Sequence, residues 1–498
     1  MTNKTVPIHL FETGVPGLDT ILGGGLPEFS FNLITGLPGS GKTTLAHQIM
    51  FGLATLRHRA LYFTVLGEPA VKMLRYQQKF AFYDMDKIGA SIRFVSLADE
   101  AQKGKLSAVL AKIKKEVEAY SPALVFVDSF RSIRAAARSQ SSAHGELRNL
   151  GQELAVYLTG WEATTFLVGE YDTAESESNP IFTLADGVIC LHQEKYQGSM
   201  VRKMEVMKMR GQATLPGMHT FQMSVQGVRA FPRKILEARA KAGPRSARIA
   251  LKRISTGVER LDELLGGGLP RGYSLLVAGP SGSGKTILAT EFLAEGVRRG
   301  ENGVIAAFEK SPGMDLSPRL EPMVRSGKVG IISTRSLDLS IDETLYDLTE
   351  SVHRLKAKRV VIDSLSGFEL GLAPTSQDFR DSLYRMISTL TGLGVTVLAT
   401  SELEDRYFDL RFSPYGAAFM TDAIVVQRYV EIDGELKRCL AVVKVRSSDH
   451  IKVLHEFKIV KGRFVVGEPV RGYEGLLSGR PTVGDKLPKA GSVRSPGR

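Results

Sequence analysis

An eight-residue pattern occurs twice in this chain, at a fixed offset. Gly36-Leu37-Pro38-Gly39-Ser40-Gly41-Lys42-Thr43 and Gly279-Pro280-Ser281-Gly282-Ser283-Gly284-Lys285-Thr286 both fit G-x-x-x-x-G-K-[ST]. Lys42 and Lys285 stand 243 positions apart. The same offset carries Thr13-Gly14-Val15, Leu18-Asp19 and Leu22-Gly23-Gly24-Gly25-Leu26-Pro27 onto Thr256-Gly257-Val258, Leu261-Asp262 and Leu265-Gly266-Gly267-Gly268-Leu269-Pro270. A repeat of this length is a duplicated domain, not a short solenoid unit.

The pattern restricts the fold because of what its glycines do. Without Cβ atoms they let consecutive backbone N–H groups turn inward and cradle an anion. The loop must then join a strand to a helix whose positive end faces the same anion. Both copies meet that condition. Phe31-Asn32-Leu33-Ile34-Thr35 and Tyr273-Ser274-Leu275-Leu276-Val277-Ala278 read as short apolar strands, and Thr44 to Met50 and Ile287 to Leu293 have helical apolar spacing. The expected phosphate-binding residues are Gly36, Gly39, Ser40, Gly41, Lys42, Thr43 and Thr44, and in the second copy Gly279, Gly282, Ser283, Gly284, Lys285, Thr286 and Ile287. Each lysine is placed to reach β- and γ-phosphates, and the hydroxyls of Thr43 and Thr286 to ligate Mg²⁺, so ATP and Mg²⁺ are the implied cofactors.

At 498 residues the chain has room for two domains of roughly 230 each. The expected boundaries are 8–232 and 250–470, joined by a basic linker at 233–249. A tail at 471–498, rich in Pro, Gly and Ser, is expected to be disordered. Apolar runs alternate with helical stretches in both halves. Ala60–Val65, Ala123–Asp128, Thr164–Gly169 and Gly187–Leu191 correspond to Gly303–Phe308, Arg359–Asp363, Val395–Thr400 and Ala423–Val426. A charged helix is expected from Lys105 to Tyr120. The fold class is therefore α/β, with a mainly parallel sheet flanked by helices in each half.

The net charge of +12 is local: residues 229–253 carry +8 and residues 471–498 carry +4, leaving the domain bodies together neutral. A groove tracking DNA needs a basic face on a domain, so DNA binding is not expected. The cysteines are Cys190 and Cys439, which suggests neither a disulfide framework nor a thiolate metal site. No run approaches the ~18 apolar residues of a membrane span. Met1 to Pro7 shows no apolar signal region, and a cytoplasmic location is the expectation.

Three further sets of residues carry chemistry. Asp128 and Asp363 close apolar strands downstream of the two loops and are expected beside the magnesium water shell. Hydrolysis also needs a group that orients water toward the γ-phosphate. Glu309 follows Phe308 directly, whereas gapless alignment places Leu66 opposite it and Glu68 two residues late. Glu68 is either a displaced catalytic residue or a surface turn residue beside Pro69. Finally, Lys208-Met209-Arg210 and Lys444-Val445-Arg446 place two cations on one face of an alternating strand. They are either a solvated edge or trans-acting groups that reach a nucleotide on a neighbouring subunit.

Together these motifs resemble the KaiC family of tandem RecA-like P-loop ATPases, over nearly all of residues 10–465. The resemblance implies two RecA-like domains, a two-tier homohexameric ring with ATP at subunit boundaries, and possible signalling protein partners. It also implies ATP hydrolysis, and serine/threonine autokinase activity in the second domain of the clock members. The sequence departs from those members at two places. Where they carry two adjacent glutamates, this chain has Glu309-Lys310 and Leu66-Gly67. Where they carry a Ser-Thr phosphoacceptor pair, it has Ala418 and Phe419, with Thr421 and Ser413 nearby. The expected activity is a slowly hydrolysing signalling ATPase. The alternatives are a clock-type serine/threonine kinase, a DNA-dependent RecA/DnaB-type motor, and a nucleotide-switched scaffold.

Overall fold

The structure is a computed structural model. It describes residues 9–65, 70–102, 106–129, 152–154, 156–158, 160–170, 180–196, 199–233, 252–308, 317–333, 341–370, 376–403, 420–476 and 482–483. The chain divides into two compact units, 1–235 and 236–498.

In the first unit the nine sheet strands are β1 (Phe31–Gly36), β2 (Ala60–Thr64), β3 (Ile92–Ser96), β4 (Leu124–Asp128), β5 (Thr164–Gly169), β6 (Gly187–Tyr196), β7 (Ser199–Met209), β8 (His219–Ser224) and β9 (Gly227–Phe231). Their order across the sheet is β3-β2-β4-β5-β1-β6-β7-β8-β9. The first six are parallel and the last three antiparallel. Strands β1, β2 and β5 are buried along their whole length, as central strands of a sheet covered on both faces should be.

Helix α1 (Lys42–Leu53) lays Leu45, Ala46, Ile49 and Met50 on one face, among Tyr62, Phe126 and Phe166. Helix α2 (Leu106–Tyr120) lays Val109, Leu110, Ile113 and Val117 on the other, at the i, i+4, i+8 spacing of one helical face. Strand β1, from which the loop leaves, is therefore covered on both faces.

The second unit repeats the plan with β10 (Ser274–Gly279), β11 (Gly303–Ala307), β12 (Val329–Ser333), β13 (Arg359–Asp363), β14 (Thr396–Glu402), β15 (Ala423–Ile432), β16 (Glu435–Val445), β17 (His455–Val460) and β18 (Arg463–Pro469). The order is β12-β11-β13-β14-β10-β15-β16-β17-β18, position for position that of the first unit. Helix α3 (Lys285–Arg298) covers one face through Leu288, Ala289 and Phe292. Helices α4 (Ile341–Leu355) and α5 (Ser376–Gly392) cover the other through Leu348, Val352, Leu383 and Leu390.

Three features differ from the sequence reading. The strand expected to end at Leu191 continues to Tyr196 and turns back as β7, so each sheet gains an antiparallel wing. Arg210 and Arg446 stand one residue beyond the ends of β7 and β16, whereas Lys208 and Lys444 are within them. The stretch after 470 also contains order: Tyr473–Glu474 pairs with Thr482–Val483, and Leu476 is buried beside Val430, Ile432 and Cys439. These apolar side chains cap a small cluster on the wing of the sheet. Residues 234–251, most of the linker, and 484–498 lie outside the described residues. Among the described residues no helix is long and apolar enough to cross a membrane.

Candidate nucleotide sites

Each loop leaves its strand at a glycine and enters its helix through another. Gly41 has φ 99° and Gly284 has φ 101°, in the left-handed region that glycine tolerates. A side chain there would also require the neighbouring Met223 or Ile459 side chain to shift. A Cβ on Gly41 would lie 2.5 Å from Met223 Sδ, and one on Gly284 would lie 2.8 Å from Ile459 Cδ1. Neither α1 nor α3 has a side-chain N-cap. Their first backbone N–H groups therefore keep their donor capacity at the positive end of the helix.

Ser40 and Ser283, both fully buried in their loops, have hydroxyls with no hydrogen-bond partner among the described residues. Buried polar atoms of this kind normally find a partner. Phosphate oxygens in the cradle would supply one, so the residues fit the expected group. Lys42 Nζ donates to Leu37 O at 2.9 Å, and Lys285 Nζ donates to Gly279 O and Pro280 O at 2.8 Å each. Both ammonium groups thus lie over their own loops.

The expected carboxylates come to the same place. Thr43 Oγ1 donates to Asp128 Oδ2 at 2.8 Å, and Thr286 Oγ1 donates to Asp363 Oδ2 at 2.8 Å. Burial pushes the Asp128 carboxyl up from its ordinary range. Hydrogen bonds from Tyr62 and Thr43 and the charge of Lys42 pull it back, while Glu170 pushes it further up. Among the described residues no cluster of three or more His, Cys, Asp or Glu is arranged to hold a metal.

Two neighbours of these carboxylates were not foreseen. Tyr62 OH donates to Asp128 Oδ2 at 2.8 Å, and Thr400 Oγ1 donates to Asp363 Oδ1. Both stand within apolar strands that read as core. The available signal was a polar-tipped residue in an otherwise apolar run, since buried Tyr hydroxyls find partners.

Glu68, Glu309, Ala418, Phe419 and Ser413 lie outside the described residues. The backbone leading to the two glutamate positions is described. Val65 N donates to Asp128 O at 2.9 Å, and Phe308 N donates to Asp363 O at 3.1 Å. Val65 and Phe308 therefore hold equivalent positions, and the residues that follow them are Leu66 and Glu309.

The paired cations lie elsewhere. Lys208 Nζ donates to Phe182 O and Thr183 O, and Arg210 pairs with Asp186 at 3.0 Å. Lys444 Nζ donates to Thr421 O at 2.8 Å, and Arg446 lies 3.6 Å from Asp422. Asp186 and Asp422 in turn accept from the backbone N–H of Phe31 and Ser274, the first residues of β1 and β10. Burial and the adjacent arginine hold both lysines below the ordinary ammonium range, opposed by Asp186 and Asp422. The cation pairs thus occupy the start of each loop-bearing strand, five residues from its glycine end. At ~3.3 Å per residue that is roughly 17 Å from the loop of the same unit.

A mostly parallel sheet with a glycine loop at the end of a central strand, repeated in tandem, defines a pair of RecA-like P-loop domains. The family described as "ATPase: KaiC" matches the chain twice, at residues 11–235 and 254–471, and the chain belongs to that family. The circadian clock oscillator protein KaiC of Picosynechococcus sp. is 27% identical over 95% of this chain and 93% of its own length. The protein of the same name from Rippkaea orientalis is 27% identical over 96% and 93%. That from Prochlorococcus marinus is 26% identical over 95% and 96%.

Proposed function

We propose that this chain is a ring-forming ATPase that binds Mg-ATP in both units, hydrolyses it slowly and uses the nucleotide state as a signal. The observation that carries this is the twofold occurrence of a lysine, threonine and aspartate gathered at a glycine cradle. Lys42 and Lys285 would exchange their loop carbonyls for β- and γ-phosphate oxygens. Thr43 and Thr286 would place their hydroxyls on the metal while donating to Asp128 and Asp363, which would orient its waters. Bound Mg²⁺ would neutralise charge across the phosphate oxygens. Glu309 would orient the attacking water at the second site.

The distance between each cation pair and its own loop supports the ring reading. Lys208, Arg210, Lys444 and Arg446 are too far along the strand to serve the phosphates of their own unit. A neighbouring subunit's nucleotide gives these four residues a function, and a closed ring supplies that neighbour to every site. The signalling role rests on the relatives, which are named as circadian clock proteins. A cytoplasmic location and further protein partners belong to the same reading.

Light scattering with and without Mg-ATP, together with phosphate release, tests the proposal. The expected result is a mass of about six chains with ATP and a smaller species without it, in the closed-ring form such interfaces generate. Phosphate release should vanish in the Lys42→Ala/Lys285→Ala double variant. A monomer that hydrolyses ATP at full rate would overturn the ring, and hydrolysis that survives both lysine substitutions would overturn the sites.

A further inference from the structure

Tyr62 lies in the middle of β2 and is completely buried. Its ring is fixed by Phe126, stacked at 5.8 Å, by Phe94 at 5.3 Å, and by His47 of α1 at 4.6 Å. So held, its hydroxyl donates to Asp128 Oδ2 at 2.8 Å, the oxygen that also accepts Thr43 Oγ1 at 2.8 Å. A carboxylate oxygen offers about two acceptor sites. Two protein donors therefore saturate Oδ2, and the acceptor capacity that remains is on Oδ1.

The second unit solves the same problem differently. Tyr62 is paired in register with Phe126, and its counterpart beside Val361 is Ile305, which has no hydroxyl. There Thr286 occupies Oδ2 of Asp363 and Thr400 occupies Oδ1. The residue beside Asp128 at the position of Thr400 is Val168. Among the described residues, one site thus clamps its carboxylate through a single oxygen, and the other through both.

We propose that Tyr62 is a positioning residue of the first nucleotide site alone, fixing Asp128 so that Oδ1 is the oxygen presented to the magnesium water shell. This rests on the reading of Lys42, Thr43 and Asp128 as a Mg-nucleotide site. Tyr62→Phe keeps the ring and removes only the donor, which frees the carboxylate to rotate about its terminal bond.

The test is a Mg²⁺ titration of fluorescent ATP-analogue binding to the full chain, in a Lys285→Ala background that silences the second site. The Mg²⁺ concentration for half-maximal binding should rise about tenfold in Tyr62→Phe, the low end for losing a partner of a metal-orienting group. Binding in EDTA should stay unchanged. Tyr62→Phe/Val168→Thr installs the second unit's arrangement and should return the half-point to near its starting value. An unchanged half-point in Tyr62→Phe, while Thr43→Ala raises it, would overturn the proposal and leave the site reading intact. If Thr43→Ala also changes nothing, the magnesium reading itself falls, and the role of Tyr62 with it. If Tyr62→Phe loses binding even in EDTA, the double variant decides. Restored binding and Mg²⁺ dependence support positioning, whereas continued loss assigns Tyr62 to packing alone.

Discussion

Thr43 and Asp128 are 85 residues apart in the chain, and the hydroxyl of one donates to the carboxylate of the other at 2.8 Å. Thr286 and Asp363 make the same bond across 77 residues. The intervening segments differ in length, yet the bond is the same. The sheet explains this: the helix start and the strand end are fixed by β1-β5-β4 in one unit and β10-β14-β13 in the other. Insertions in the surface connections leave that frame untouched.

Arg446→Ala should lower ATP turnover at least about tenfold, a modest share of what a trans-acting arginine contributes. Nucleotide affinity should change little, because Arg446 stands at the far end of the sheet from its own loop, beside Asp422. Turnover and analogue binding measured on the same preparation separate the two effects. A fall in affinity with unchanged turnover would place Arg446 in the wrong role.

Hydrolysis should depend mainly on the second unit. Val65 and Phe308 bond equivalently to the backbone of Asp128 and Asp363, so Glu309 directly follows the shared position while Glu68 comes three residues after Val65. Glu309→Gln should reduce phosphate release about a hundredfold, the lower range for losing a general base. Glu68→Gln should have little effect. Greater damage from Glu68→Gln would mean that the first unit bulges to bring its glutamate into line.

Stoichiometric autophosphorylation should be absent. Ala418 and Phe419 lack a hydroxyl. Thr421 is completely buried, and its carbonyl is held by Lys444 at 2.8 Å, at the end of the sheet remote from its own loop. Mass spectrometry after incubation with Mg-ATP checks this. Phosphate on Thr421 or Ser413 that disappears in Lys285→Ala would promote the kinase reading over the ATPase.

His47 gives the first unit a pH dependence with a definite sign. Burial pushes its imidazole from 6.5 down to about 3. The folded chain holds it neutral, while the unfolded chain takes up a proton below pH 6.5. Its contribution to stability is therefore complete above about 6.5 and is lost as the pH falls toward 3. Between pH 7.5 and 5.5 the loss is about 1 kcal/mol. Denaturant melts followed by Trp161, the single tryptophan and a residue of the first unit, should show His47→Gln losing less over that interval than the parent. Parallel pH profiles would contradict this.

What was legible in the sequence follows from how local each feature is. The loops could be read because Gly41, Lys42 and Thr43 adjoin in the chain and each is needed for its own backbone or side-chain reason. Asp128 and Asp363 were legible because a carboxylate ending a buried strand is costly without a task. Tyr62 and Thr400 were not, since their partners lie on other strands, and a polar-tipped residue in LYFT or LATS does not show which carboxylate it will reach. The antiparallel wing was also missed. Strands β6 and β7 mix Lys, Glu and Met in the manner of a sheet face open to water, which blurs the apolar signal. Arg210 was assigned to a strand that ends at Met209, although its side chain still reaches the same corner as Lys208.

The central claim is that each chain carries two working nucleotide sites, and equilibrium dialysis against a non-hydrolysable ATP analogue with Mg²⁺ measures it directly. The account predicts two nucleotides per chain, one in Lys42→Ala, one in Lys285→Ala and none when both are changed. A wild-type stoichiometry of one or zero, or binding that persists in the double variant, would contradict it.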